Sequence, residues 1–303
     1  MTPMITSTPS KRTEGQETKY RRLIEDAARH AVSLAFDKIA ADQDGWQRVL
    51  ERGDEVKEAI AEIVVAKTRE LSVTNQFADE EVKSSYGYLS GYTKPKSITG
   101  QTNRLRELLP GIGYADEVIA AHPLTPGAEG HVAIPRWEKI APTYGEAVEK
   151  VFALLKKTRD GKFVNYREGE LGAKYLRQSS HAAKMWQKIG DEQKGNDILV
   201  VQAQFGINHR GRSIRRVREV MPGFEFGLGA FAIGIMLLTH PERLQHRDDL
   251  WIDCAGDEYS PDAGGDFSHA PFFDFYVGQL EFNASWVDDP SEDCGSASAF
   301  LPQ

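Results

Sequence analysis

Apolar positions in the first quarter of the chain recur at helical spacing. From Lys19 to Ala41, Tyr20, Leu23, Ala27, Ala31, Leu34 and Ile39 form one stripe, which predicts an amphipathic helix. A second helix is predicted from Trp46 to about Leu71, where Val49, Val56 and Ile63 repeat every seven residues, as do Trp46, Gly53 and Ile60. Two such helices make a plain hairpin or, read through the seven-residue seam, a short coiled coil that joins copies of the chain. Residues 1–18 lack the pattern and read as a loose polar tail, which leaves 19–72 as the helical region. Residues 73–130 are rich in Gly, Ser, Tyr and Pro and read as a connector. A short helix near Thr102–Leu109 interrupts it, and the turn-rich His122–Gly130 ends it, so a domain boundary is expected at 125–130.

Past that boundary the period keeps changing. "HVAIP" predicts a strand, and the stretch from Thr143 to Gly161 predicts a strong helix, with Thr143 and Glu146 spaced as a capping box. Tyr175–Gly195 reads as another helix, Asn196–Phe205 as a buried strand, and Glu225–Leu244 as an apolar helix stopped by Pro241. Short strands follow in "DLWIDCA", "PFFDF", "QLEFNASW" and "SASAFLP". Helices first and a meander of short strands last predict an α+β fold, with 131–303 as one domain built on a mainly antiparallel sheet.

The sharpest alternation lies in Pro271–Trp286. It puts Phe273 and Phe275 on one face of a strand and Leu280 and Phe282 on the same face of its partner, with Val277-Gly278 as the turn. Phe272, Asp274 and Tyr276, with Glu281, Asn283 and Ser285 opposite them, fall on the other face. The inner set predicts a scaffold; the outer set is a row of side chains that the scaffold does not require.

Charge sharpens the contrast between the two ends. Residues 248–303 hold 13 acidic residues and no Lys or Arg, so the rest of the chain carries the other 32 acidic residues against all 37 basic ones. The two parts therefore present different surfaces. With 40% hydrophobic residues the chain can bury a core, and its longest apolar run, Gly227–Leu238, is too short to span a bilayer. The beginning has no apolar stretch like that of a signal peptide, and two cysteines make no disulfide framework. A reducing cytoplasm is the expected compartment, with display at the surface left open, and no membrane partner is expected.

Candidate chemistry is sparse. Arg210, Arg212, Arg215, Arg216 and Arg218 are a candidate anion-binding cluster, for phosphate or nucleic acid, or internal countercharge for the acidic C-terminal region. No aromatic residue interleaves them, which weakens a single-strand stacking platform. Asp253, Asp257, Glu258, Asp262 and Asp266 lie in a Gly-rich stretch, but not at the spacing of an EF-hand loop, and read as a solvated acidic loop. His209, His240, His246 and His269 have no metal-ligand spacing, and Cys254 reads as core. There is no nucleophile elbow, P-loop or dinucleotide fingerprint. No cofactor, no metal and no catalytic residue are expected; an enzyme using the 253–266 carboxylates remains the third alternative.

Three pieces, "DDLWIDCAGDEY", the hairpin with Trp286, and "GSASAFLP", resemble the C-terminal end of target (variable) proteins of diversity-generating retroelements. The resemblance runs from about residue 196 and is most specific over 249–302. "IPRWEKIAPTYGEAVEKV", "HRGRS" and "GLGAFAIGIMLLTHPERL" also look like an uncharacterised bacterial group. The resemblance implies a C-type lectin-like domain whose outward positions are rewritten by adenine-directed mutagenesis. It implies a variable face made of His269, Phe272, Asp274, Tyr276, Val277, Asn283, Ser285, Val287, Asp288, Asp289, Ser291, Asp293 and Cys294. Randomised asparagine codons cannot encode Lys, Glu, Gln, Met or Trp, so Gln279, Glu281, Trp286 and Glu292 are expected to be fixed frame. The implied function is binding of an unknown protein or other macromolecule, with homo-oligomerisation through the N-terminal helices; a nucleic-acid or anionic ligand at the Arg cluster is the alternative.

Overall fold

The structure is a computed structural model that describes residues 13–72 and 74–301. The chain forms two compact units, one ending at Val73 and the other beginning at Thr74.

The first unit is helical. α1 spans Glu14–Lys38, α2 Gln43–Glu51 and α3 Gly53–Ser72. α1 begins earlier than expected because Thr13 and Gln16 form a reciprocal capping box. The expected tail therefore shrinks: residues 13–18 are ordered, and the rest of it lies outside the described residues. The expected second helix is divided in two. Arg52 leaves helical geometry (φ −103°, ψ 27°) just before Gly53, the weakest helix former in the segment. Trp46 and Ile60 therefore sit on different helices, and the seven-residue seam is interrupted. Phe36 and Trp46 meet edge to face at 5.2 Å. No residue of α1 or α2 is buried, and Leu23, Leu50 and Ile63 stand exposed.

The second unit takes in the segment expected to be a connector. Tyr92, Ile98 and Leu105 belong to its core, the last two on α4 (Ile98–Leu108). The buried Asp249 carboxylate accepts from the backbone N–H groups of Leu89, Ser90, Gln245 and His246 and from the Ser90 hydroxyl. Arg243, fully buried, donates to the carbonyls of Leu250 and Phe205 and lies over the Tyr88 ring. Tyr88 and Tyr92 both donate to Glu129. A segment anchored by buried polar groups is part of the fold, so no boundary falls at 125–130.

The unit is α+β. β1 (Gly130–Pro135), β4 (Ile198–Gln204), β11 (Ser298–Phe300) and β5 (Glu225–Gly227) form an antiparallel sheet in the order β1-β4-β11-β5. A second sheet runs β10 (Cys294–Ser296), β6 (Trp251–Asp253), β8 (His269–Tyr276), β7 (Asp257–Tyr259), β3 (Leu176–Gln178). β9 (Gln279–Trp286) pairs with β8 and with β2 (Phe163–Asn165). The β10–β6 and β2–β9 pairs are parallel, so this sheet is mixed rather than uniformly antiparallel.

Between the sheets' helices, α8 (Ala230–Thr239) is buried at every position and packs on α5 (Tyr144–Thr158) and β1. Gly234 permits the approach: a Cβ there would lie 2.6 Å from Val151 Cγ1. α5 carries the expected Thr143–Glu146 capping box. The stretch read as one helix from Tyr175 yields first to β3 and then to α6 (Ser180–Glu192), where Ser179 caps the helix by accepting from Ala182 N–H. α7 (Ile214–Val220) carries the arginines. The last strands tie the two sheets together: β10 lies in the mixed sheet, β11 in the antiparallel one, and Ala297 between them hydrogen-bonds Leu228 and Asp253. No helix among the described residues is long and apolar enough to cross a membrane.

Candidate functional site

The β8–β9 hairpin is built as its alternation requires. Val277 (φ 49°) and Gly278 (φ 79°) both take positive φ, the two-residue turn that suits the strand twist, and Val277 adopts it despite its branched side chain. The register runs from His269↔Trp286 to Tyr276↔Gln279. On the inner face Phe273 meets Phe282 at 5.0 Å, and α5 supplies Phe152 against both. Phe273, Leu280 and Phe282 are fully buried; Phe275, nearest the turn, is only half-buried.

The outer side of these strands has three parts. The tip exposes Tyr276 and Val277, with the Arg247 guanidinium 5.2 Å from the Tyr276 ring. The loop after β9 exposes Asp288 and Asp289; Ser285, before it, is also exposed, and Ser291, Asp293 and Cys294 are half-buried. Between tip and loop lies a floor. Phe272 stacks on Trp251 at 6.1 Å with their planes 6° apart. Asp253 lies opposite Phe272 on β6, and Asp274 lies opposite Glu281 on β9.

This floor corrects part of the expected display set. Asp274 and His269 are buried: the first at 8% exposure, the second at 9% beneath the Trp286 ring, 4.2 Å away. Val287 packs against the cluster of Ile214, Val217, Ala255 and Ala270. Strand alternation assigns a face but not whether that face is covered, which is why these three were expected in solvent. Phe272 and Asn283 are half-buried; Asn283 accepts from Arg167 Nε at 3.0 Å. Trp251, Asp253, Tyr166 and Arg167 were not expected at the site, and Glu281 was expected on this face only as fixed frame. The alternation of "LWIDC" around the buried Ile252 is the signal that assigns Trp251 and Asp253 to the outer face.

The floor is electrostatically strained. Burial first, then the nearby Glu281 and Asp293, push the Asp274 carboxyl up to about 7. Withdrawal from water and then Asp293 push Asp253 up to about 7. Burial, with Asp253 and Asp293 beside it, also raises the Cys294 thiol, which makes it a poor nucleophile. The Tyr166 hydroxyl is raised by Glu281 and, after partial burial, by Asp274.

The arginines do not form an open patch. Arg215 pairs with Glu80, Arg216 with Glu81 and Glu219, and Arg212 with Glu81. Arg210 donates to the Tyr86 carbonyl, and Arg218 to those of Ala255 and Asp257. Their countercharge comes chiefly from residues 80–81 and 219; the acidic C-terminal region contributes Asp288, 3.6 Å from Arg215, and Glu258 and Asp257 near Arg218. The acidic loop does not converge. Asp257 accepts from Tyr144 and from Ala230 N–H at the start of α8, while Glu258 pairs with Arg177. Among the described residues no group of three or more His, Cys, Asp or Glu is arranged to hold a metal. A separate cleft of about 430 Å³, lined by Trp137, Tyr144, Trp186 and Phe231, contains none of the expected site residues. No protein-family model, curated protein or solved structure matches the chain.

Proposed function

We propose that this chain is a ligand-binding variable protein, with diversified side chains displayed on a C-type lectin-like scaffold in residues 131–303. One observation carries the reading: on a single hairpin, Phe273 and Phe282 are sealed while Tyr276, Val277 and Ser285 remain accessible and lead into an exposed Asp288–Asp289 loop. Stability and recognition are thereby assigned to different residues of the same strands. The terminal strands support it further, because β10 and β11 pin the chain after the loop into both sheets and leave a variable segment framed on each side. Recognition then uses Tyr276 and Phe272 as aromatic contacts and the loop Asp and Ser residues as adaptable polar ones. Homo-oligomerisation belongs to the same reading. The exposed apolar residues of α1–α3 would be covered by a second copy, which raises avidity for a repetitive ligand.

The test has a genetic and a physical arm. The nucleotide sequence should hold a near-repeat of the 3′ end with asparagine codons aligned to Tyr276, Val277, Ser285, Asp288 and Asp289, beside a reverse transcriptase gene. A library randomised at those five positions should keep the parent's melting temperature within a few degrees in most members. A library that mostly unfolds overturns the reading.

A further inference from the structure

Asp274 is the oddity of the outer face. Its side chain is at 8% exposure, yet its Oδ1 has no hydrogen-bond partner. A buried carboxylate oxygen normally finds a donor, and leaving one without a partner costs stability. The groups facing Asp274 make its position worse. Glu281 stands across the ladder from β9, Asp293 approaches from the segment before β10, and Asp253 adds a further carboxyl on β6. Two arginines on this side of the hairpin are engaged elsewhere: Arg167 binds Asn283 and the Ala284 carbonyl, and Arg247 lies over the Tyr276 ring at the tip. Beside these carboxyls lie the stacked rings of Trp251 and Phe272, whose faces attract cations.

We infer that this floor is a subsite for a cationic side chain, a guanidinium or ammonium group presented by a protein ligand, which donates to Asp274 and lies against the Trp251–Phe272 stack. The inference rests on the display reading for the identity of the face and adds the chemistry of its ligand. A guanidinium supplies the donors that Asp274 lacks and relieves the repulsion among Asp253, Asp274, Glu281 and Asp293. It also explains why an unfavourable acidic cluster sits on a sheet whose opposite face is ordinary aromatic core: strain of this kind collects at binding sites. Glu281, expected to be fixed frame, would be a constant anchor in the subsite beside the buried Asp274.

The test uses the full-length chain and three probes: N-acetyl-arginine amide, N-acetyl-lysine amide and the uncharged isostere N-acetyl-citrulline amide. NMR titration at pH 8 should show saturable binding of the arginine and lysine probes, with shifts at the Trp251 indole N–H, and roughly tenfold weaker binding of citrulline. Asp274→Asn and Glu281→Gln should each weaken arginine binding several-fold, while Asp262→Asn, in the exposed acidic loop, leaves it unchanged. Affinity should fall between pH 8 and 6 as Asp274 and Asp253 take up protons. Absence of saturable binding overturns the inference, as does equal binding of citrulline or equal sensitivity to Asp262→Asn. Thermal melts of each variant confirm that it is folded. Loss of arginine binding with a tolerant hairpin library removes this inference alone; an intolerant library removes the display reading whichever probe binds.

Discussion

Asp274 and Glu281 occupy the same register position on adjacent antiparallel strands, so two carboxyl groups face each other on the half-covered side of the sheet. Like charges directly opposite destabilise a strand pair, and here burial adds to the repulsion. The folded state therefore favours a protonated Asp274, whose carboxyl is raised to about 7. A carboxyl raised on folding contributes most below its unfolded pKa near 4, and that contribution fades as pH climbs through 7. Asp274→Asn, which imitates the neutral acid, should stabilise the protein by about 2 kcal/mol at pH 8, allowing for residual water contact. Near pH 4 the gain should disappear. Urea unfolding of both proteins at the two pH values measures the difference, and an equal effect at both would remove the electrostatic account.

The two faces of the hairpin should respond oppositely to truncation. Phe273→Ala and Phe282→Ala each open a cavity against Phe152 and should cost about 3–5 kcal/mol. Phe275→Ala should cost visibly less, because its ring is half-buried near the turn. Tyr276→Ala should stay within about 0.5 kcal/mol. Asn283→Ala falls between them, since it frees the Arg167 guanidinium from one of its acceptors, at about 1 kcal/mol. Denaturant midpoints for the five variants order them; a Tyr276 variant as damaging as Phe273→Ala would erase the division between frame and display.

The arginine cluster predicts a stability effect in place of a binding effect. Arg216 bridges Glu81 and Glu219, and burial of Glu219 is outweighed by Thr74, Arg216 and the backbone N–H groups of Phe77 and Gln76, which pull its carboxyl down to about 2. Arg216→Ala leaves these acids without their cation and should destabilise the protein by about 2 kcal/mol. Because the Glu219 carboxyl is lowered in the folded state, its contribution is present above pH 4.5 and lost as pH falls toward 2, so wild type and variant should converge at acid pH. Duplex DNA at low salt should bind neither protein measurably; salt-sensitive binding abolished by Arg215→Ala would restore the anionic-ligand alternative.

Much of the frame is legible in the sequence. β4 and α8 announce themselves as uninterrupted apolar runs, the Thr143–Glu146 box marks the start of α5, and Val277-Gly278 fixes the hairpin and hence its register. What could not be read depends on long-range partners. Nothing local tells that Asp249 gathers the backbone near Ser90, so Gly, Ser and Tyr there look like a linker although they are folded. Nothing local tells that Glu80 and Glu81, more than 130 residues before Arg215 and Arg216, supply their countercharge. At the site, alternation separates Phe273 from Asp274 correctly. It cannot report that Asp293 approaches Asp274 from the far end of the chain or that Tyr166 stands near Glu281, which turns an expected open row into a floor with a rim.

The N-terminal unit should change the size of the particle without changing its fold. Leu23, Leu50 and Ile63 are exposed on α1, α2 and α3 at 62, 73 and 68%. Isolated apolar residues on a surface are ordinary, but neither α1 nor α2 buries a single residue, so these two helices leave much of their apolar surface uncovered. On the proposed reading the exposed apolar faces would be covered by association, and the seven-residue spacing of Val49, Val56 and Ile63 favours a second copy as the partner even with the break at Arg52. The triple substitution Leu23→Lys, Leu50→Lys and Ile63→Lys should lower the sedimenting mass to that of one chain, and helicity in the N-terminal unit should fall with it as the helices lose their cover. The 74–303 unit should melt as before, because its core is self-contained. A wild-type chain that already sediments as a single copy, or a triple variant with unchanged mass, would show that these helices serve some other contact.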